Sequence, residues 1–230
     1  MSDLINPTEM YLKAILEMQE ADVPKRRARI AERLQQSGPT VTKTVLRMER
    51  AGLVSFSEES KKLEFTPRGF QTAATVMRKH RLAECFLERV VGLDWTLLHD
   101  EACRWEHVMS DDVTNRLDAL MGHPSRTPYG NPIPPVDPDE WDPLADSPEV
   151  SNLVRFLHDF GSECEARIEW IGETVQAFPS LLEQLKDAGA MPGARVVFSL
   201  HGPSVLLHRA DVGVVLELQH GTAADLFVRP

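Results

Sequence analysis

The chain has 230 residues, 42% of them hydrophobic, and a formal net charge of −10 at pH 7. That length holds one large domain or two to three small ones, the apolar share excludes a wholly disordered chain, and no apolar run approaches the roughly 18 residues a membrane span needs. Three scattered cysteines, Cys85, Cys103 and Cys164, exclude a disulfide framework, and the opening MSDLINPTEM lacks the basic and apolar stretches of a secretory signal, so a cytoplasmic protein is expected.

The acidic balance is uneven. Between Pro24 and Arg50 lie eight basic residues and two acidic ones. A phosphate backbone feels local charge, not the sum over the chain. TEMYLKAILEMQE, with Thr8 as its expected N-cap, repeats apolar residues at Tyr11, Leu12, Ile15, Leu16 and Met18, the period of an amphipathic helix. RRARIAERLQQ predicts a second helix. SGP then supplies a cap, a turn and a first-turn proline before a third, TVTKTVLRMERAG. Two short helices across a tight turn, the second rich in small polar and basic residues, read as helix-turn-helix. LVSF and LEF around SEESKK read as the two strands and tip of a wing. Ser37, Pro39, Thr40 and Lys43 are expected at base edges, with Thr42 on the same polar surface, and Arg27, Arg29, Arg47 and Arg50 on phosphates. The plain alternative is a solvated basic face or a protein-docking surface.

RGFQTAATVMRKHRLAECFLERVVG predicts a long helix ending at Gly92, with His80 and Glu84 four apart on one face. DWTLLHDEACRWEHVMSDDVTNRLDALM predicts continuous helix, on which His99, Cys103, Glu106 and His107 fall within an arc of about 100°. Imidazole, thiolate and carboxylate together suit a borderline divalent metal: Fe(II), Mn(II), Zn(II), Co(II) or Ni(II). One helix rarely completes a coordination sphere, so His80 and Glu84 are candidates to help. Against metal stand a Glu106–Arg104 pair, a buried Cys103 thiol and a satisfied His99. No HExxH, GxGxxG or P-loop motif occurs, which weighs against a metalloenzyme with a cofactor loop or obvious base.

Asn131 to Val150 holds six acidic residues, six prolines and no basic residue, and reads as a stiff extended linker. ARIEWI, ARVVFSL, SVLLH, GVVLEL and ADLFVRP then alternate as strands, with SLLEQLKDAG as a helix among them, a pattern that fits a small SH3-like barrel. The expected fold is therefore mainly α with small β parts. Residues 1–66 form a winged helix-turn-helix, 67–130 a helical metal-binding and dimerisation domain, 131–148 the linker and 149–230 the barrel.

TEMYL, RARIAERLQQSGPTVTKTV, RMERAGL, VMRKHRLAE, EACRWEHVMSDDV, GNPIP, ETVQ and LKDAGAMPGARV together resemble the diphtheria-toxin-repressor family of iron- and manganese-dependent transcriptional regulators. The likeness spans nearly the whole chain, thinly after Pro132, and MRKHRLAE with EACRWEHVMS is its most specific part. It implies a homodimer joined through the central helices that binds palindromic operator DNA, one or two dimers per operator, and represses metal-uptake genes when metal is plentiful. It implies two Fe(II) or Mn(II) sites per subunit, with Zn(II), Co(II), Ni(II) or Cd(II) able to substitute in vitro. One takes Met10, the side chain and carbonyl of Cys103, Glu106 and His107 and triggers DNA binding. The other takes His80, Glu84 and His99, helped by Glu173 and Gln176 from the third domain. No membrane, small-molecule substrate or catalysis is implied. Sulfur from Met10 and Cys103 leans towards Fe(II), with Mn(II) still open. Family members often carry glutamine where Lys43 stands, so the operator sequence is expected to differ, and the wing is one residue longer. A metal-independent winged-helix regulator and a metalloenzyme are the competing readings.

Overall fold

A computed structural model describes residues 6–138 and 141–230. The first five residues, part of the stretch read for a secretory signal, and Asp139 and Glu140 of the acidic run lie outside the described residues.

Helix α1 (Pro7–Glu20) is capped by Asn6, not Thr8. The Asn6 side chain accepts from the amides of Thr8 at 3.1 Å and Glu9 at 3.4 Å. Pro7 explains the shift, because its missing N–H and fixed φ suit the first helical position and leave Thr8 inside the turn. Helix α2 (Arg27–Leu34) ends at Gln35 in the left-handed region, and α3 (Gly38–Arg50) starts from Ser37, whose hydroxyl accepts from the Thr40 amide. Strands β1 (Val54–Phe56) and β2 (Leu63–Phe65) pair antiparallel as the wing. Helix α4 (Pro67–Phe86) leaves the wing with Gly69 against it; a Cβ there would meet the Leu53 carbonyl oxygen at 1.8 Å. Tyr11, Leu12, Ile15, Ile30, Val41, Val45, Met48, Leu63, Ala74 and Met77 share one core, so the first half of α4 belongs to the winged helix.

The second half of α4 enters another core. It runs through a π-helical turn (Leu87–Val91) to Gly92, then a 3₁₀ turn (Trp95–Leu97), α5 (Leu98–Trp105) and α6 (Asp111–Leu120). The expected unbroken helix is thus interrupted after Trp105. Ser110 is the cause: its hydroxyl accepts from the Val113 amide, and Asp111 and Asp112 favour a new N-terminus there. Glu106 and His107 consequently lie in a turn, not on a helical stripe.

The proline-rich segment is held by side chains along its course. Ile133 packs with Leu82 and Cys85, Trp141 with the winged-helix core, and Leu144 with Trp170 and Phe227. After it come β3 (Ser151–Asn152), α7 (Leu153–Phe160), β4 (Glu163–Ile171), α8 (Glu173–Gln176), α9 (Pro179–Asp187), β5 (Arg195–His201), β6 (Ser204–His208), β7 (Val215–Gln219), α10 (His220–Ala223) and β8 (Leu226–Arg229).

The expected SH3-like barrel is not formed. The sheet is open, in the order β3-β8-β4-β5-β6-β7, with β3 and β7 as its edges. Closure would require those edges to pair. Strand β3 has only two residues before the chain turns into α7, whose Leu153, Phe156 and Leu157 fill the inner face instead. Alternation in the sequence reveals strands and their inward face, but not whether the first and last strands meet.

The sheet's core is continuous with the central helices through Ala83, Leu87, Trp95, Leu98, Ala102 and Tyr129. Gly130 (φ +85°) makes the crossing: a Cβ would meet the Glu169 carbonyl oxygen at 2.1 Å.

Asp225, just before β8, faces α1 and α2 across a cavity of about 470 Å³ also lined by Glu17, Arg33 and Thr174. Burial pushes its carboxyl up to about 6, against the opposing pull of Arg33 and a Thr174 hydrogen bond. A carboxyl raised above its ordinary 3.8 contributes stability that is present below that value and lost as pH rises through about 6. Asp225→Asn should therefore gain on the wild type between pH 4 and 8, by on the order of 1–3 kcal/mol. Urea unfolding at both pH values checks this; a gap that does not widen with pH refutes it.

Candidate metal centre and DNA-reading face

Four elements converge on one buried polar cluster. Helix α4 carries His80 and Glu84, α5 carries His99 and Cys103, the turn after it carries Glu106, and α8 brings Glu173 and Gln176 from the C-terminal domain. His80 Nε2 lies 2.8 Å from Glu84 Oε1, and its Nδ1 2.6 Å from Glu106 Oε2. His99 Nδ1 is 3.2 Å from Gln176 Oε1 and 3.7 Å from Glu84 Oε1, and its Nε2 is 3.6 Å from Cys103 Sγ. The ligand atoms of His80, His99 and Cys103 all lie within 4.8 Å of one another. This grouping crosses the two donor sets that the family resemblance implies, because Cys103 sits beside the histidines of the other set. Glu173 and Gln176 are buried in contact with these groups.

The remaining expected donors stand at the rim. His107 Nδ1 meets Glu9 Oε2 at 2.7 Å, and its Nε2 meets Glu106 Oε1 at 3.2 Å. Met10 is 37% exposed on α1. Three residues not singled out in the sequence complete the cluster. Lys13 Nζ lies 2.9 Å from Glu106 Oε2 and from His80 Nδ1, and 3.3 Å from Glu173 Oε2. Arg81 binds both oxygens of Glu20, at 3.0 and 2.6 Å, and donates to Glu173 Oε1 and to the Pro132 carbonyl. The sequence did hold a signal: Lys13 and Glu20 flank the apolar stripe of α1, and Arg81 sits one residue after His80 inside a helix that buries both faces.

Protonation follows from this crowding. Burial opposes ionisation of Glu106, but Lys13 and His80 outweigh it and hold the carboxyl down at about 2. Burial likewise opposes a Cys103 thiolate, while Lys13, His99 and His80 carry its pKa well below the ordinary thiol value. For His99, burial lowers the pKa and the neighbouring Cys103 and Glu84 raise it to about 9. The cluster thus holds ionised oxygen and sulfur donors beside imidazoles, the donor chemistry a first-row divalent ion takes. Glu173 Oε2 is buried without a hydrogen bond, which fits a donor set meant for a cation.

On the opposite end of the winged helix, Arg29, Ser37, Pro39, Thr40, Lys43, Arg47 and Arg50 are exposed, and Thr42 is half-buried. Arg27 is half-buried too, its guanidinium stacked 3.8 Å over the Phe56 ring at the tip end of β1 in the wing. Arg29 pairs with Glu32 at 3.0 Å. Leu46, 43% exposed among these polar residues, was not singled out in the sequence; apolar side chains on such a helix suit the thymine methyl group.

A winged helix joined by its first helix to a buried donor cluster defines a metal-responsive DNA-binding protein. Residues 66–135 match the family described as iron dependent repressor, metal binding and dimerisation domain, and residues 3–61 match iron dependent repressor, N-terminal DNA binding domain. The chain is 44% identical to the diphtheria toxin repressor of Corynebacterium glutamicum, over 98% of both chains. It is 48% identical to the iron-dependent repressor IdeR of Mycobacterium tuberculosis, over 85% of both. Among solved structures, a manganese-dependent transcriptional repressor in complex with manganese superposes with a TM-score of 0.74 at 26% identity, covering 96% of this chain and 98% of that one. The manganese regulator SloR shares the fold, with a TM-score of 0.79 at 23% identity over 98% and 99% of the two chains. The chain belongs to the diphtheria-toxin-repressor family of metal-dependent transcriptional repressors; it is a DNA-binding repressor, not an enzyme. Among the described residues no helix is long and apolar enough to cross a membrane.

Arg81 is almost wholly buried and bridges α1, α4 and α8. Arg81→Met should leave Glu20 without its counter-ion and Glu173 with Lys13 alone, and cost on the order of 3–5 kcal/mol. Chemical denaturation of the metal-free protein measures this; a loss below about 1 kcal/mol would show that the bridge is dispensable.

Proposed function

We propose that this repressor senses Fe(II) or Mn(II) through two donor sets in each subunit and, when loaded, binds palindromic operators of metal-homeostasis genes as a two-fold dimer in the cytoplasm. One set is Met10, Cys103, Glu106 and His107; the other is His80, Glu84, His99, Glu173 and Gln176. The observation that carries the reading is the convergence of α1, α4, α5 and α8 on one buried cluster of nitrogen, oxygen and sulfur donors. A bound divalent ion would supply positive charge that ties these elements together. The chain's own residues do the rest. Glu106 and Lys13 link the central domain to α1, and α1 packs against the helix-turn-helix through Tyr11, Leu12 and Ile15. A change at the cluster therefore reaches α3, whose copies in a dimer must enter major grooves about 34 Å apart.

Sulfur favours Fe(II) over Mn(II) only modestly. Relatives named for iron at high identity and structures named for manganese at lower identity support the same order. On the DNA face, Ser37, Pro39, Thr40 and Lys43 read base edges, while Arg27, Arg29, Thr42, Arg47 and Arg50 hold phosphates. A metal-independent regulator would leave the buried thiolate and imidazoles without a purpose, so it is the weaker reading.

Anaerobic operator binding with and without Fe(II) or Mn(II) tests the whole scheme: binding that is equal in both conditions overturns it. Within it, Cys103→Ala should keep a folded dimer but weaken the metal requirement's midpoint by about 10–100-fold or more, the usual loss when even an indirect metal partner is removed. Retention of the wild-type midpoint would remove Cys103 from the trigger set.

The DNA contacts separate by their salt and sequence dependence. Arg50→Ala should weaken all DNA to a similar degree and lower the salt slope by about one. Lys43→Gln should change which palindrome is preferred, by about 1–3 kcal/mol per base pair read. Measured on an operator panel at fixed salt, a uniform loss for Lys43→Gln would reassign it to the phosphates.

A further inference from the structure

Lys13 is one of the most deeply placed charges in the protein. Its side chain is 6% exposed, and its ammonium lies 2.9 Å from Glu106 Oε2, 2.9 Å from His80 Nδ1, 3.3 Å from Glu173 Oε2 and 3.7 Å from Cys103 Sγ. These four groups come from both donor sets. One ammonium therefore stands in contact with donors of each. Metal-to-donor distances for such ligands are about 2.0–2.3 Å. An ion held by His80, Glu106 or Cys103 would need space the ammonium occupies. Two cations cannot share those oxygens at contact distance without strong repulsion.

Resting on the metal-sensing reading above, we propose that Lys13 is a built-in counter-cation of the donor cluster, which an incoming divalent ion must displace, and that this exchange sets the metal concentration at which the repressor responds. The charge balance supports exchange over simple neighbourhood. Without Lys13, the Glu106 and Glu173 carboxylates and the Cys103 thiolate would face one another with less cationic cover, a costly state for buried charge. With both Lys13 and a dication present, two cations would compete for the same Glu106 and Glu173 oxygens and the same Cys103 sulfur. Each state is best satisfied by one of the two cations.

The position of Lys13 on α1 gives the exchange a mechanical outlet. Met10 lies three residues earlier, near the same face of the helix and exposed at the rim. Withdrawal of Lys13 from the cluster and approach of Met10 towards it are movements within one helix. That helix packs on α2 and α4, so the winged helix registers which cation is held.

Co(II) is a suitable probe, because its visible bands report ligation and its thiolate absorption reports Cys103. Wild-type protein should bind Co(II) with these bands. Lys13→Leu, which removes the cation and adds no donor, should bind Co(II) about ten-fold tighter, ~1.4 kcal/mol. It should also unfold at a lower temperature without metal and gain more from Co(II). Lys13→Arg keeps a cation and should bind no tighter than wild type. Because Lys13→Leu could fail to fold without metal, amine labelling of the wild type, read by mass spectrometry, gives a separate measure. Lys13 should be protected in metal-free protein and become reactive with Co(II). Equal Co(II) affinity for Lys13→Leu and wild type, or Lys13 labelling that Co(II) does not raise, overturns the exchange. If wild-type protein shows no Co(II) bands at all, it is the metal-sensing reading that fails.

Discussion

Everything in this molecule depends on how charge is kept out of water. At the junction of α1, α4, α5 and α8, carboxylates, imidazoles, an ammonium and a guanidinium are packed together with almost no exposure, beside the partly exposed sulfur of Cys103. Burying such groups costs several kcal/mol each unless opposite charges and hydrogen bonds answer them. The answer here is geometric. The donors come from several elements, two each from α4, α5 and α8, so those elements must sit in one arrangement for the charges to be satisfied. A hydrophobic junction would tolerate sliding; this one resists it.

That constraint explains why the C-terminal domain is more than an appendage. Glu173 and Gln176 stand on a helix of only four residues between β4 and α9, yet both reach the central helices. Gln176 is fixed by the Asn131 side chain and the Ile171 carbonyl at 2.8 and 2.6 Å. The polar contacts are backed by one apolar core that runs from Ala83 and Leu98 into the sheet. The acidic, proline-rich segment lies across the surface with Ile133, Trp141 and Leu144 as anchors, and joins the domains by contact as well as by covalent chain.

Much of this was legible in the sequence. Periodicity, capping residues and glycine stops placed the three helices and the wing, and the pairing of MRKHRLAE with EACRWEHVMS pointed to the metal centre. The misses have two causes, local capping chemistry and contacts between distant residues. Pro7 shifted a cap by two positions, and Ser110 broke a helix whose apolar period ran on unchanged. Closure of the sheet depends on whether two edges meet, which no strand's own pattern records. Lys13 and Arg81 were not singled out, because a charged residue is buried only when partners from elsewhere wait for it.

Helix α4 belongs to two cores at once, with Ala74 and Met77 in the winged helix and Ala83 in the domain beyond. Its 20 residues make a stiff rod of about 30 Å. A rod held in both bodies acts as a lever. A tilt of only about 5° at the donor end displaces the far end by about 2.6 Å, comparable to the length of a hydrogen bond. Adjustments of a fraction of an ångström around a bound ion are thereby scaled to the size that decides whether a side chain meets a base edge or misses it.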